Sequence, residues 1–242
     1  MKFSLVFALA LLSVALLPQC MQVSDGIEVD VAYRPEATPA QIRTDMGYGV
    51  RLERALIAVG KVELIACDDV ALDLWQLIGP ARARAHLAAS PTSLGVPFVI
   101  DLMQSTGAPL FAGTIQPPPG RYCGIRVLAM PADQDAEGLT EQNLDMLRNS
   151  VLVAGRVEDL STGDEVPLLA HIWEVLQYEM QFDQPLVFEG PVVDGVTIEI
   201  DHRQWFDGID FASQDSLGVQ EQITRNVRAS LQAIVSQTDT GV

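Results

Sequence analysis

Three histidines, a short run of alternating acids and three cysteines are the residues whose types could do chemistry in this chain. His86, His171 and His202 stand far apart, and none belongs to an H-x-x-x-H or C-x-x-C arrangement that presets a metal site. His171 and His202 each fall near the edge of an expected strand, so adjacent strands could gather them, and imidazoles suit copper or zinc. Trp173 and Trp205 follow them closely in sequence. The plainer account is preferred: one surface histidine and two strand-end histidines satisfied by backbone.

Asp133-Gln-Asp135-Ala-Glu137-Gly138 begins like a calcium loop, with oxygens at positions one, three and five and glycine at six. Glu141 suits position nine, but Leu144 stands at position twelve, where a bidentate acid is needed. A solvated acidic loop is the simpler reading. Asp207, Asp210 and Asp215 form a second acidic group, read as a turn whose neighbours Trp205 and Phe206 anchor a final helix. Enzyme signatures are missing from the sequence: no G-x-S-x-G elbow, no phosphate-cradling loop and no zinc-protease motif. The chain is therefore expected to be non-enzymatic. A rival is a carbohydrate-binding or carbohydrate-active protein, stacking sugars on Trp75, Trp173 and Trp205 or working through a carboxylate pair.

The elements that would hold these residues are mostly strands. Ile27, Val29 and Val31 alternate with polar or small residues. Residues 48–67 predict two strands or one long bent strand with a bulge at Gly60. Residues 95–103 and 109–115 suggest two more, while 70–89 stays ambiguous between strand and short helix. Cys123, Ile125 and Val127 are expected to face one way and Tyr122, Gly124 and Arg126 the other. Residues 131–149 read as an acidic surface insertion, followed by a strand at 151–157. The strictest alternation is Leu176, Tyr178, Met180 and Phe182 against Gln177, Glu179, Gln181 and Asp183, one dry face and one wet. Leu186–Phe188 and Val196–Ile200 follow. The period then changes: Ile223, Val227, Leu231 and Ile234 make one stripe on a helix over about 218–236, capped by Asp215 or Ser216. The expected fold is mainly β, an antiparallel two-sheet β-sandwich (Ig/transthyretin-like) with a C-terminal amphipathic helix.

The N-terminus carries an address. Lys2, an apolar run from Phe3 to Pro18 and then Gln19-Cys20 form a bacterial export signal. The run falls short of the ~20 residues a membrane span needs. Cys20 is the candidate lipidation site of an outer-membrane or periplasmic lipoprotein of a Gram-negative bacterium. Leu17 fits the lipobox pattern, whereas Gln19 does not. The expected division is a signal at 1–20, a tether at 21–25, one domain at 26–236 and a tail at 237–242. With Cys20 set aside, Cys67 and Cys123 remain as an even pair flanked by apolar strand residues, and an oxidising compartment favours their disulfide. Lys plus Arg total 15 against 32 Asp plus Glu, a net charge of −17. Such a surface keeps an exported protein soluble and does not suit nucleic acid or an anionic membrane. The membrane is expected to be met through the lipid anchor alone, and the partner is an unspecified envelope protein or ligand.

Several stretches resemble uncharacterised exported lipoproteins of myxobacteria and, more distantly, the DUF4382 and MbnP-like β-sandwich groups. They are Val62–Cys67, Leu72–Leu77, Pro119–Arg126 and Trp205–Phe211. The resemblance implies a periplasmic or outer-membrane β-sandwich. The MbnP-like group is associated with copper bound by histidines and an oxidised tryptophan, which would draw attention to His171 with Trp173 and His202 with Trp205. No fuller match to that group's histidine-rich motif is present.

Overall fold

The computed structural model describes residues 26–67, 90–190 and 192–236. The expected export signal with Cys20, the expected tether and tail, Trp75 and His86 lie outside these residues. No helix among the described residues is long and apolar enough to cross a membrane.

The architecture is organised by one strand. β3 runs from Tyr48 to Ala66, 19 residues, and carries the bend expected at Gly60 as a register shift between Val59 and Lys61. The glycine sits where the ladder slips, as a bulge requires. Three short strands line one side of β3: β2 (Ile42–Arg43), β4 (Ser93–Leu94) and β5 (Phe98–Asp101). On the other side, β7 (Gly120–Ala129) pairs with residues 59–66 and β8 (Val151–Asp159) with residues 48–57. Both lie opposite β5, so β7 and β8 continue one another along β3. Beyond them, β9 (Glu165–Ile172) pairs with β8, and β10 (Leu176–Phe188) with β7. This sheet is thus three double-length antiparallel strands with a broken fourth along one edge.

A second sheet has the order β12 (Leu231–Ser236), β11 (Val192–Ile200), β1 (Ile27–Pro35), β6 (Leu110–Ile115). One buried core draws side chains from both sheets: Val29 and Ile198 from the smaller, Val50, Ile125 and Phe188 from the larger. β10 neighbours β12 at one margin and β4 neighbours β6 at the other. Helix α1 (Ser216–Ala229) packs beside β9 and buries Val219, Ile223 and Val227 in that core. Asp215 caps it as expected, its side chain accepting from the Gly218 amide at 2.9 Å.

The structure corrects four expectations. The sheets are mostly antiparallel, but β1 and β11 pair in parallel, with Ile27 opposite Val192 and Pro35 opposite Ile200. The helix stops at Ala229, and Leu231 to Ser236 form β12 against β11, so the chain ends its described course as a strand. Leu231 and Ile234 thus belong to a strand, and Ile234 is partly exposed. Tyr122 turns into the core against Phe188, ring centroids 5.6 Å apart, because a ladder irregularity at Cys123 reverses the alternation there. Finally, residues 131–149 are not a bare loop: Ala132, Ala136 and Met146 bury a second apolar cluster on Leu56, Ala58, Val99 and Leu152.

Cys67 and Cys123 form a disulfide across 56 residues, between the end of β3 and β7. Peptide mapping without reductant is expected to link them. Cys67→Ser with Cys123→Ser should lower unfolding free energy by about 2–5 kcal/mol in a denaturant titration.

Candidate functional site

A cavity of about 890 Å3 opens on the outer face of the larger sheet, and its walls come from two excursions of the chain. The floor is β3 and β5, presenting Arg54, Leu56, Val99 and Asp101. One wall is the segment after β5, with Gln104, Ser105 and Thr106. The opposite wall is the excursion between β7 and β8, with Thr140, Gln142 and Asn143. Amides and hydroxyls therefore face each other across a partly apolar floor.

Two of the charged groups of the floor, Arg54 and Asp101, are engaged, while Glu53 of β3 lines the cleft and is exposed. Arg54 holds Asp145 through both guanidinium nitrogens, at 2.6 and 2.9 Å, and also donates to the Gln142 carbonyl. This bond lowers the Asp145 carboxyl from its ordinary range and raises the guanidinium. Asp101 accepts from the Met103 amide at 3.0 Å and from Gln104 Nε2 at 2.7 Å, so its two oxygens cap the 3₁₀ turn at Leu102–Gln104. Asn143 is buried and fixes its wall by accepting from the Thr140 amide and donating to the Gly138 carbonyl.

The calcium-like run lies in this same wall, but its backbone is what the structure uses. Glu137 bonds in ladder fashion to β5, its amide to the Pro97 carbonyl and its carbonyl from the Val99 amide. Gly138 sits at φ +77°, and a Cβ there would stand 2.2 Å from the Val99 carbonyl oxygen. Close approach to β5 therefore accounts for the glycine. Asp133, Asp135 and Glu137 are not gathered into a ligand set; among the described residues no group of three His, Cys, Asp or Glu side chains converges.

The two histidines are not brought together either. His171 alternates with Ala170 and Ile172, which face the main core, and pairs with Leu152 of the second cluster. It is exposed on the outer face of the larger sheet. His202 begins the 3₁₀ turn His202–Phe206 on the inner side and is wholly buried. The sheet separates them. Trp173 follows His171 outward and is 66% exposed, whereas Trp205 is fully buried and donates its indole N–H to Ser230 at 2.8 Å.

His202 is a structural feature that sequence spacing did not signal. Its Nε2 lies 2.9 Å from Thr38 Oγ1, and Thr38 donates its one hydroxyl proton to the Leu102 carbonyl at 2.8 Å. Nε2 must then carry the imidazole proton, leaving Nδ1 as a bare acceptor. Among the described residues, the buried Nδ1 has no hydrogen-bond partner. Trp205 stands edge-on to the ring at 6.2 Å.

Comparison with known proteins adds little. No family model matches the chain, and no curated protein matches it. Among solved structures, it is similar to MbnP from Methylosinus trichosporium at a TM-score of 0.32 and 13% identity, over 78% of each chain. The likeness to myxobacterial lipoproteins finds no support. At this score the similarity carries no argument about the site.

Burial pushes the His202 imidazole down to about 4; the neighbouring Asp201 works against this shift and Arg203 with it. The fold favours the neutral ring, so its contribution is complete above the unfolded value of about 6.5 and is lost as pH falls from there through about 4. Between pH 7.5 and 4.5 the wild type should lose about 2–3 kcal/mol of stability through this group. Denaturant titrations of His202→Gln, which keeps a donor toward Thr38, should show a flatter profile over that window. Identical profiles would remove the assignment.

Proposed function

We propose that this is an exported, non-enzymatic binding or accessory protein of the bacterial envelope, anchored through Cys20, whose ligand site is the outer cleft. Two sheets on one core support reading the domain as a β-sandwich of the Ig/transthyretin-like kind, a scaffold on which loops carry binding. The observation that carries the reading is the cleft itself. Its walls carry Gln104, Ser105, Thr106, Thr140 and Gln142, and of its floor charges Arg54 is held by Asp145 and Asp101 by the Met103 amide and Gln104, while Glu53 stands exposed. Such a surface suits a neutral ligand rich in hydrogen-bonding groups, with apolar contact on Leu56 and Val99.

A carbohydrate reading has an observation of its own. Trp173 and Leu169 are exposed in one row with His171 on the outer face of β9, and an exposed indole on a sheet face can stack on a sugar ring. Copper held jointly by His171 and His202 gains no such support, since the larger sheet lies between them.

A panel of neutral glycans and short uncharged peptides separates these readings. Binding lost in Thr106→Trp, which fills the cleft, and kept in Trp173→Ala supports the cleft. The reverse pattern moves the site to β9. No binding to any member of the panel would overturn both. For the anchor, Cys20→Ala should shift the protein from the detergent-extracted membrane fraction to the soluble periplasm, read by mass and fractionation.

A further inference from the structure

The excursion at 131–149 is joined to the sheet in an unusual way. In an antiparallel ladder, one residue both donates to and accepts from its partner. Opposite Ala58, that task is split: the Met130 amide donates to the Ala58 carbonyl at 3.0 Å, and the Ala58 amide donates to the Ser150 carbonyl at 2.8 Å. Met130 and Ser150 together act as a single strand residue. The intervening segment therefore leaves and re-enters one continuous strand at a single ladder position, and the pairing of β7 and β8 with β3 runs on without it.

The segment also satisfies itself. The Ala132 amide donates to the Met146 carbonyl at 2.9 Å and closes its neck. Leu139, Asn143, Arg148 and Asn149 donate backbone amides within it. Its apolar contribution is Ala132, Ala136 and Met146, with Leu139 partly buried, a cluster separate from the main core. It is fastened at two places: the Glu137 ladder to β5, and the Arg54 contacts to Asp145 and Gln142.

We infer that residues 131–149 form a strap that opens as a unit while the sheet stays intact, and that the strap sets what the cleft admits. A small separate cluster and a partly exposed ion pair hold it, whereas β3 and β8 are held by the main core; local opening is expected where buried contacts are few. Thr140 and Gln142 are its ligand-facing side chains. That last role rests on reading the cleft as the binding site; the opening does not.

Native-state hydrogen exchange tests the strap without a ligand. The amides of Glu137, Val99 and Ala132 should exchange about 100-fold or more faster than the Ala58 amide under conditions favouring the folded state. Arg54→Gln removes the latch and should speed Glu137 and Ala132 about fivefold, leaving Ala58 unchanged. Exchange of all four amides together, or equal acceleration of Ala58 in Arg54→Gln, would overturn the strap. So would an Arg54→Gln profile matching wild type. A failed ligand panel alongside the expected exchange pattern would remove the cleft reading and leave the opening in place.

Discussion

The larger sheet of this domain is registered on β3. Nineteen residues at about 3.3 Å each make a strand near 60 Å long, far beyond the usual five or six residues. Such a strand outruns any single partner, so its neighbours come in pairs placed end to end: β8 then β7 on one side, β9 then β10 beyond. Long sheets twist, and the bulges near Gly60 and between Leu52 and Arg54 let this one bend without breaking. The tight fit at Gly155 shows how closely the strands follow one another through a bulge. A Cβ there would lie 2.2 Å from the Arg51 carbonyl oxygen.

The same length explains how the core is covered. The smaller sheet meets the larger through β12 beside β10 and β4 beside β6, and helix α1 with the turn at His202–Phe206 fills in toward β9. Trp205, Phe206 and His202 are all fully buried at that junction. The ring of His202 bonds Thr38, and Thr38 bonds Leu102, so three connections distant in sequence are tied by two hydrogen bonds. A neutral histidine with an unpaired Nδ1 is an expensive way to do this, which is why that junction should be the acid-sensitive one.

Local alternation was the readable part of the sequence. Tyr178 and Phe182 on β10, and Val196, Ile198 and Ile200 on β11, are buried as their period of two requires. What alternation cannot encode is partnership. The parallel pairing of β1 with β11 joins residues about 165 apart and leaves no local mark. β12 was hidden because Leu231 and Ile234 extend the helical stripe of Ile223 and Val227 by coincidence of spacing, while Ser230 marks the break: its amide bonds back to the Asn226 and Val227 carbonyls and its hydroxyl to Val227 and Trp205. Tyr122 was misplaced by one irregular residue, since a slip of one reverses every later side chain. The cleft was invisible for a related reason. Its residues come from β3, β5 and two excursions, and neutral amides and hydroxyls form no motif.

The location of the cleft follows from the sheet. A continuous antiparallel strand tolerates an insertion only where its ladder can be closed again, and the changeover from β7 to β8 at Ala58 is such a place. The changeover also leaves apolar side chains, Leu56 and Leu152, on the outer face with no second sheet to cover them. The excursion covers them with Met146 and two alanines, and in doing so raises a wall beside β5. Cations in this acidic chain are few, and those on this face are matched to acids: Arg54 to Asp145, Arg51 and Arg156 to Glu165. The outer face thus holds several of its charges in internal pairs, and in the cleft it offers a ligand neutral donors and acceptors beside the exposed Glu53. Recognition there would turn on hydrogen-bond geometry, and part of that geometry resides in the excursion, which the ladder of β3 bypasses at Ala58.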